Sequence, residues 1–202
     1  MYDVLAIYIQ LYQNIEVRVN DMLSNGLLTP RDSLDALVSY SIAEEGTNTL
    51  YIRLVESMLQ RREDYSLVEV EMVLNYFPHG LWKDDPALSR LRETFYHPMV
   101  EMIRGHLGKV DTRQFLSLFQ GLTLVGSSML RGDILNLVLN SFVQRQQGEG
   151  KLTLGEVMAF MELFIQFLRA SPAMSEQVDT SKLLGVTIES TFLPQASQLT
   201  LN

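Results

Sequence analysis

The 202-residue chain contains no cysteine, only 3 histidines, and few glycines or prolines. Without cysteine there is no disulfide framework, no thiolate nucleophile and no zinc site of the cysteine type. Long hydrophobic runs are also missing. The longest, residues 157–168, is interrupted by Glu162 and Gln166 and falls well short of the ~20 residues that span a bilayer. We therefore predict no membrane span.

Positive charge is scarce as well. The 16 lysines and arginines are outnumbered by 24 aspartates and glutamates, which gives a formal net charge of −8. This balance disfavours a protein whose main task is to neutralise nucleic-acid phosphates. Residues 1–10 carry no basic side chain, so no secretory or transit segment is visible in this chain. The hydrophobic content of 47% is sufficient for a sizeable buried core.

Four sites have the pattern of a helix start, in which a capping side chain is followed three residues later by its reciprocal partner. The starts recur roughly every 40 residues, inside the window of about 20–50 residues that indicates a helical array. An apolar residue stands eight positions after each cap, and an aromatic residue or leucine stands eleven positions after it. The four pairs are Thr29 with Asp32, Ser66 with Glu69, Asp111 with Gln114, and Thr153 with Glu156.

A helical pattern at residues 3–24 precedes the first start, and further ones lie between the starts at residues 50–62, 85–107 and 129–147. The last start opens a helix over 154–168. Pro98 should kink or split the helix at residues 85–107. The sequence thus predicts an all-α fold: a short α-solenoid of antiparallel helix pairs with about three and a half repeats, because stacked pairs share one core. A single helical bundle is the alternative.

We assign residues 1–170 to the helical-repeat domain and 171–202 to an extended C-terminal tail. The helices at residues 134–143 and 154–168 are apolar around most of their circumference, which predicts cover on a second side. That cover would come from the tail, docked on the last helices, or from another subunit. In the tail, an alternating apolar pattern predicts an extended docking segment containing Val186, Ile188 and Phe192.

Residues 54–70 resemble the junction between repeats in the pentatricopeptide and octotricopeptide classes of organellar helical-repeat proteins. One helix ends in basic residues, a short turn carries Tyr65 and Ser66, and the next helix begins. Residues 142–157 look similar. By size, repeat number and acidity, the chain is most similar to the helical-repeat accessory subunit of euglenozoan mitochondrial ATP synthase. The resemblance implies a location on the matrix side of the mitochondrion.

The sequence carries no recognisable catalytic or metal-binding motif. His79, His97 and His106 lack the spacing that places two histidine ligands on one helix face. Residues 145–156 have the length of a calcium-binding EF-hand loop, but Arg145 and Gln147 occupy positions where that loop needs carboxylates. We therefore predict no enzyme activity, no cofactor, no metal and no small-molecule substrate.

The best candidate for contact with phosphate or a partner is the segment of residues 83–113, where basic side chains outnumber acidic ones. We predict a non-catalytic accessory subunit that makes protein–protein contacts in a larger mitochondrial assembly, with the ATP synthase as the assembly implied. An organellar RNA-binding or RNA-processing adaptor is the alternative, and the net charge disfavours it. The candidate contact residues are Arg90, Arg92, Arg104, Lys109 and Arg113.

Overall fold

The computed structural model of the chain describes residues 4–60, 65–82, 88–126, 132–148, 152–170, 172 and 180–189. Within these ranges the structure is helical and contains no strand, which confirms the all-α prediction. The helices are α1 (Val4–Ser24), α2 (Pro30–Ala43), α3 (Asn48–Leu59), α4 (Leu67–Tyr76), α5 (Leu88–His106), α6 (Thr112–Val125), α7 (Gly132–Gln147), α8 (Leu154–Ala170) and α9 (Thr180–Thr187). A short 3₁₀ helix, His79–Trp82, follows α4.

The four predicted helix starts are confirmed. Reciprocal capping boxes open α2 and α4. At the start of α8, the Thr153 amide donates to the Glu156 carboxylate at 2.7 Å, and the Glu156 amide donates back to the Thr153 hydroxyl at 3.3 Å. Asp111 accepts a hydrogen bond from the amide of Gln114 at 2.8 Å at the start of α6. The amphipathic pattern that follows each cap therefore enters its helix in the predicted phase.

The periodic apolar positions lie in the core. Eleven residues after each cap, the four predicted side chains are all buried. Eight residues after it, Leu37, Leu74 and Phe119 are buried. Met161, the equivalent residue of α8, is only half-buried. The first three modules thus bury both periodic positions of their opening helix, whereas α8 fully buries only the second of them, Phe164.

The chain divides into two compact units, residues 1–99 and 100–202, with the boundary inside α5. In the first unit, α2 packs against α3 and α4, and α1 packs against α3. Leucines and a methionine fill the space between these helices. At the end of α4, the ring of Phe77 lies 5.2 Å from that of Phe95 on α5. The fully buried core side chains include Leu34, Leu37, Leu50, Leu54 and Met58.

In the second unit, α6 packs against α8, and α9 packs against α7. The ring of Phe160 lies at the centre of this unit, 4.0 Å from Phe142, 5.1 Å from Phe119 and 5.9 Å from Phe115. The contacts of α2 with α4 and of α6 with α8 join the first helices of successive modules. Such contacts are expected in a short solenoid and would also occur in a helical bundle.

Pro98 does not split its helix, because α5 continues from Leu88 to His106 with the proline inside it. Proline removes one backbone donor from a helix, and the remaining hydrogen bonds can keep the helix continuous. The boundary between the two compact units nonetheless falls directly after Met99, one residue beyond this proline.

The prediction of extended backbone from residue 186 is wrong for the described part of the tail. Residues 180–187 form α9, and Ile188 and Glu189 continue it in π-helical geometry. Leu183 and Thr187 are buried four residues apart, and the Thr187 hydroxyl donates to the Leu183 carbonyl at 2.8 Å. Helical rather than two-residue periodicity therefore decides which of these side chains are buried. The proposed boundary at residue 170 stays a prediction, since most of the residues that follow it lie outside the described ranges.

Candidate functional site

Helix α1 exposes a row of aliphatic side chains along one flank. Ile7, Leu11 and Ile15 are 58%, 53% and 41% exposed. Residues four apart lie on one face of an α-helix, so these three side chains form a continuous strip, which we call the α1 row. On the side that packs against α2 and α3, the same helix presents Tyr12, whose ring lies 5.4 Å from that of Tyr40 on α2. Helix α1 is therefore covered on one side and open on the neighbouring one.

Tyrosines from three helices meet beside the α1 row. On α1, the rings of Tyr8 and Tyr12 lie 4.8 Å apart, and Tyr8 is 41% exposed. The buried Tyr40 donates its hydroxyl hydrogen to the Tyr12 carbonyl at 3.1 Å. The hydroxyl of Tyr51, on α3, donates to the Glu45 carbonyl at 2.7 Å. We call Tyr8, Tyr12, Tyr40 and Tyr51 the tyrosine cluster.

The charged side chains that influence this cluster are carboxylates. Burial raises the pKa of Tyr40 to about 12, and the nearby charge of Glu16 acts in the same direction. A hydrogen bond with Tyr12 raises the pKa of Tyr8, and the charge of Glu45 contributes to that rise. The Glu16 carboxylate also accepts a hydrogen bond from the Thr47 hydroxyl, which holds it beside the start of α3. The cluster thus combines aromatic faces with negative charge, a combination that attracts cations.

The second unit has an exposed apolar strip of its own, on α8. Leu154, Met158 and Ile165 are 37%, 54% and 44% exposed, and we call them the α8 row. The sequence predicts cover on a second side of this helix, but these three side chains remain accessible. The opposite face of α8 buries Phe160, Phe164 and Phe167 in the core of the second unit. Helix α9, the described part of the tail, packs against α7.

A surface groove of about 470 Å³ runs between α6 and α8. Its lining mixes apolar and polar side chains, and Arg113 and Glu162 contribute opposite charges to it. A second groove, of about 290 Å³, lies at the end of α1. Beside it, Arg53 donates one hydrogen bond to Asn20 at 2.5 Å and another to Ser24 at 2.7 Å. The α6–α8 groove is lined by Arg113, Leu116, Ser117, Gln120, Ala159, Glu162, Leu163 and Gln166.

The predicted basic contact residues are divided between the two units. In the second unit, Arg104 donates to Asp133 at 2.7 Å, so its charge is already matched, whereas Lys109 and Arg113 are exposed. In the first unit, Arg90 is exposed and Arg92 is half-buried. Lys109 and Arg113 thus remain the best candidates of the second unit for a contact with phosphate.

The predicted docking residues of the tail have different outcomes. The backbone of Val186 belongs to α9. Ile188 is 49% exposed, just beyond the end of that helix. Phe192 lies outside the described residues. Of these three residues, Ile188 is therefore the one whose side chain the structure shows to be accessible.

Arg145, the first position of the loop that has EF-hand length, has a structural role. Its guanidinium donates to the carbonyls of Leu107 and Val110, at 3.1 and 2.7 Å, and lies 4.8 Å above the ring of Phe115. It therefore joins the end of α7 to the connection between α5 and α6. Burial lowers the pKa of this guanidinium, and the nearby Asp111 opposes that shift.

Among the residues that the structure describes, no three histidine, aspartate or glutamate side chains converge to hold a metal ion. His79 is held between two partners instead. Its Nε2 lies 2.7 Å from the Leu74 carbonyl, and its Nδ1 lies 2.8 Å from the Tyr96 hydroxyl. Because a carbonyl only accepts, the proton of the neutral ring is on Nε2, and Nδ1 accepts from Tyr96.

No described helix combines the length and the apolar character that crossing a membrane requires. The comparisons with family models, curated proteins and solved structures gave no match for this chain. The exposed surfaces of the two units are therefore the basis on which a function can be inferred.

Sequence reasoning missed the α1 row and the tyrosine cluster. The sequence between residues 4 and 23 places apolar side chains on more than one side of the helix, which is the signal that was used for residues 154–168. Applied to α1, the same criterion would have predicted an apolar flank that α2 and α3 do not cover.

Proposed function

We propose that this chain is a non-catalytic accessory subunit that docks protein partners within a larger assembly. The observation that carries the proposal is the exposure of an apolar row on one helix of each unit, the α1 row and the α8 row. Exposed apolar side chains that are scattered singly are ordinary, but side chains aligned on one helix face form a surface on which a partner can pack.

The binding free energy that a partner would gain by covering the α1 row can be estimated from the exposed fraction of its side chains. Complete burial of an isoleucine or leucine side chain contributes about 1.5–3 kcal/mol, and each member of the α1 row is about half exposed. Covering the three remaining surfaces would contribute about 3 kcal/mol, which corresponds to roughly a hundredfold in affinity. This is a useful share of the free energy of a specific interface, although further contacts have to supply the rest.

The resemblance to organellar helical-repeat proteins supports the mitochondrial matrix as the place to look for that assembly. By the same resemblance, the ATP synthase is the first complex to examine. In this role the chain supplies contact area and shape to the assembly, and it needs no nucleotide site of its own.

The test is affinity purification of the tagged chain from its native source, with companion proteins quantified by mass spectrometry. Leu11→Asp and Met158→Asp place a charge in the α1 row and the α8 row. Val17→Asp and Ala170→Asp add a charge to the same helices outside the rows. We expect stoichiometric companions with the wild type and both controls, and a loss of companions in at least one row variant.

Retention of the same companions by all four variants would contradict the proposal. So would RNA as the principal companion, with an affinity that falls steeply as salt is added, because this is the signature of phosphate neutralisation. Lys109→Ala and Arg113→Ala would then be the variants to examine.

A further inference from the structure

We propose that the α1 row and the tyrosine cluster together bind an amphipathic partner helix that carries lysine or arginine beside its aliphatic face. This inference rests on the proposed docking function and specifies the chemistry of the partner at one of the two rows. It follows from two adjacent features of the first unit, one aliphatic and one aromatic and acidic.

The aliphatic feature fits a helix. Ile7, Leu11 and Ile15 cover two helical turns, about 12 Å along the axis at 1.5 Å per residue. A partner helix that lies along this row presents its own apolar residues at intervals of three and four, the pattern by which amphipathic helices pack into apolar surfaces. A partner helix of two to three turns is long enough to cover the whole row.

The aromatic and acidic feature selects a cation. Tyr8 is accessible at the edge of the row, its ring lies 4.8 Å from that of Tyr12, and the charge of Glu45 reaches its hydroxyl. An ammonium or guanidinium group near such a ring is attracted by the ring quadrupole, and a carboxylate nearby adds to the attraction. A lysine or arginine beside the aliphatic face of the partner helix would therefore meet Tyr8 and Glu45 while its leucines cover the row.

Two other occupants fit less well. A second copy of the chain that packs through the same row would bring together two units of residues 1–99, each of which carries 8 basic and 15 acidic side chains. An anionic lipid surface would meet the same carboxylates and be repelled.

The experiment uses two labelled synthetic peptides of 14 residues with one amphipathic pattern, the first built from leucine and lysine and the second from leucine and glutamate. Binding to the full-length chain is followed by fluorescence anisotropy, and circular dichroism checks that every variant is folded. We expect saturable binding of the lysine peptide and none of the glutamate peptide.

Four variants locate the site. Leu11→Asp should weaken binding of the lysine peptide by more than about tenfold, and Glu45→Gln by about two- to fivefold. Val17→Asp adds the same charge as Leu11→Asp about 120° away around the helix, and Glu56→Gln removes an exposed carboxylate from α3. Both controls should stay within about twofold of the wild type, since a charge-matched pair differs only in position.

Equal effects of Leu11→Asp and Val17→Asp would overturn the inference, because the peptide would then respond to overall charge. Three other results would overturn it as well: binding of both peptides alike, a dimer in sedimentation that Leu11→Asp abolishes, or binding of anionic vesicles that depends on Leu11. If companion proteins are captured from the native source through the α1 row while the lysine peptide fails to bind, docking stands and the partner chemistry proposed here is wrong.

Discussion

Replacing His79 with glutamine should remove part of the acid sensitivity of the fold. His79 lies in the 3₁₀ helix after α4, with Nε2 2.7 Å from the Leu74 carbonyl and Nδ1 2.8 Å from the hydroxyl of Tyr96 on α5. Its ring stacks on that of Tyr96 at 5.7 Å. Only the neutral ring can accept a hydrogen from Tyr96, so protonation of His79 would reverse this hydrogen bond and place a positive charge in a partly buried site between the end of α4 and α5.

The pKa of His79 determines whether acid stabilises or destabilises the fold at this site. Burial lowers the pKa of His79 below its ordinary value of 6.5, and the charge of Arg92 acts in the same direction, while the hydrogen bond to Leu74 opposes them. The unfolded chain therefore binds a proton at a higher pH than the folded chain does. Stability contributed by neutral His79 is fully present above about pH 6.5 and is lost as the pH falls toward the folded pKa, by up to about 1.4 kcal/mol per pH unit.

The assay is urea unfolding of the wild type and His79→Gln at several pH values between about 5 and 7.5. Glutamine keeps one N–H donor and one oxygen acceptor but does not titrate in this range. Contributions of other titrating groups cancel in the difference between the two proteins. We expect the advantage of the wild type to shrink as the pH falls, and a difference that is constant across this range would refute the reasoning.

Three further substitutions test the packing and the helix ends by urea unfolding. Phe160→Ala removes a buried ring stacked 4.0 Å from Phe142 and should cost about 3–5 kcal/mol, so a loss below about 1 kcal/mol would contradict the described core. Thr153→Ala deletes the cap of α8 and should cost about 1 kcal/mol, whereas no measurable change would count against the capping box. Arg145→Met leaves the Leu107 and Val110 carbonyls without this donor and should cost about 1.5–3 kcal/mol; full stability would argue that Arg145 does not hold them.

Helix starts could be predicted from the sequence because they depend on local chemistry. Ser66 and Glu69 are three residues apart, and the capping box that they form needs no distant partner. The face that a helix buries could be predicted for the same reason. The helical period fixes where Leu74 or Phe119 lies relative to its cap, and both residues are buried. These local rules were sufficient for the all-α prediction.

Features that depend on contacts between distant residues could not be predicted from the sequence. The alternating apolar residues near Val186 indicated an extended segment, but the structure forms α9 there, in which Leu183 and Thr187 are buried and the helix packs against α7. The charge of Arg104 looked available in the sequence, and only the fold places Asp133 at 2.7 Å from it.

The candidate site was partly predictable. The apolar character of α8 indicated a second covered side, and the structure leaves Met158 and Ile165 exposed there. The tyrosine cluster could not be foreseen, because Tyr8, Tyr40 and Tyr51 come from three helices that the fold brings together. Sequence spacing gives no indication of that meeting.

The central claim, that the exposed apolar rows serve to dock the chain on other proteins, is tested most directly by the mass of the particle in which the chain occurs in a gentle lysate of its native source. Sedimentation with detection of the chain measures this without tags or variants. The account predicts that most of the chain sediments in a particle several times larger than its own 23.0 kDa. A population that sediments entirely as the free monomer would contradict it.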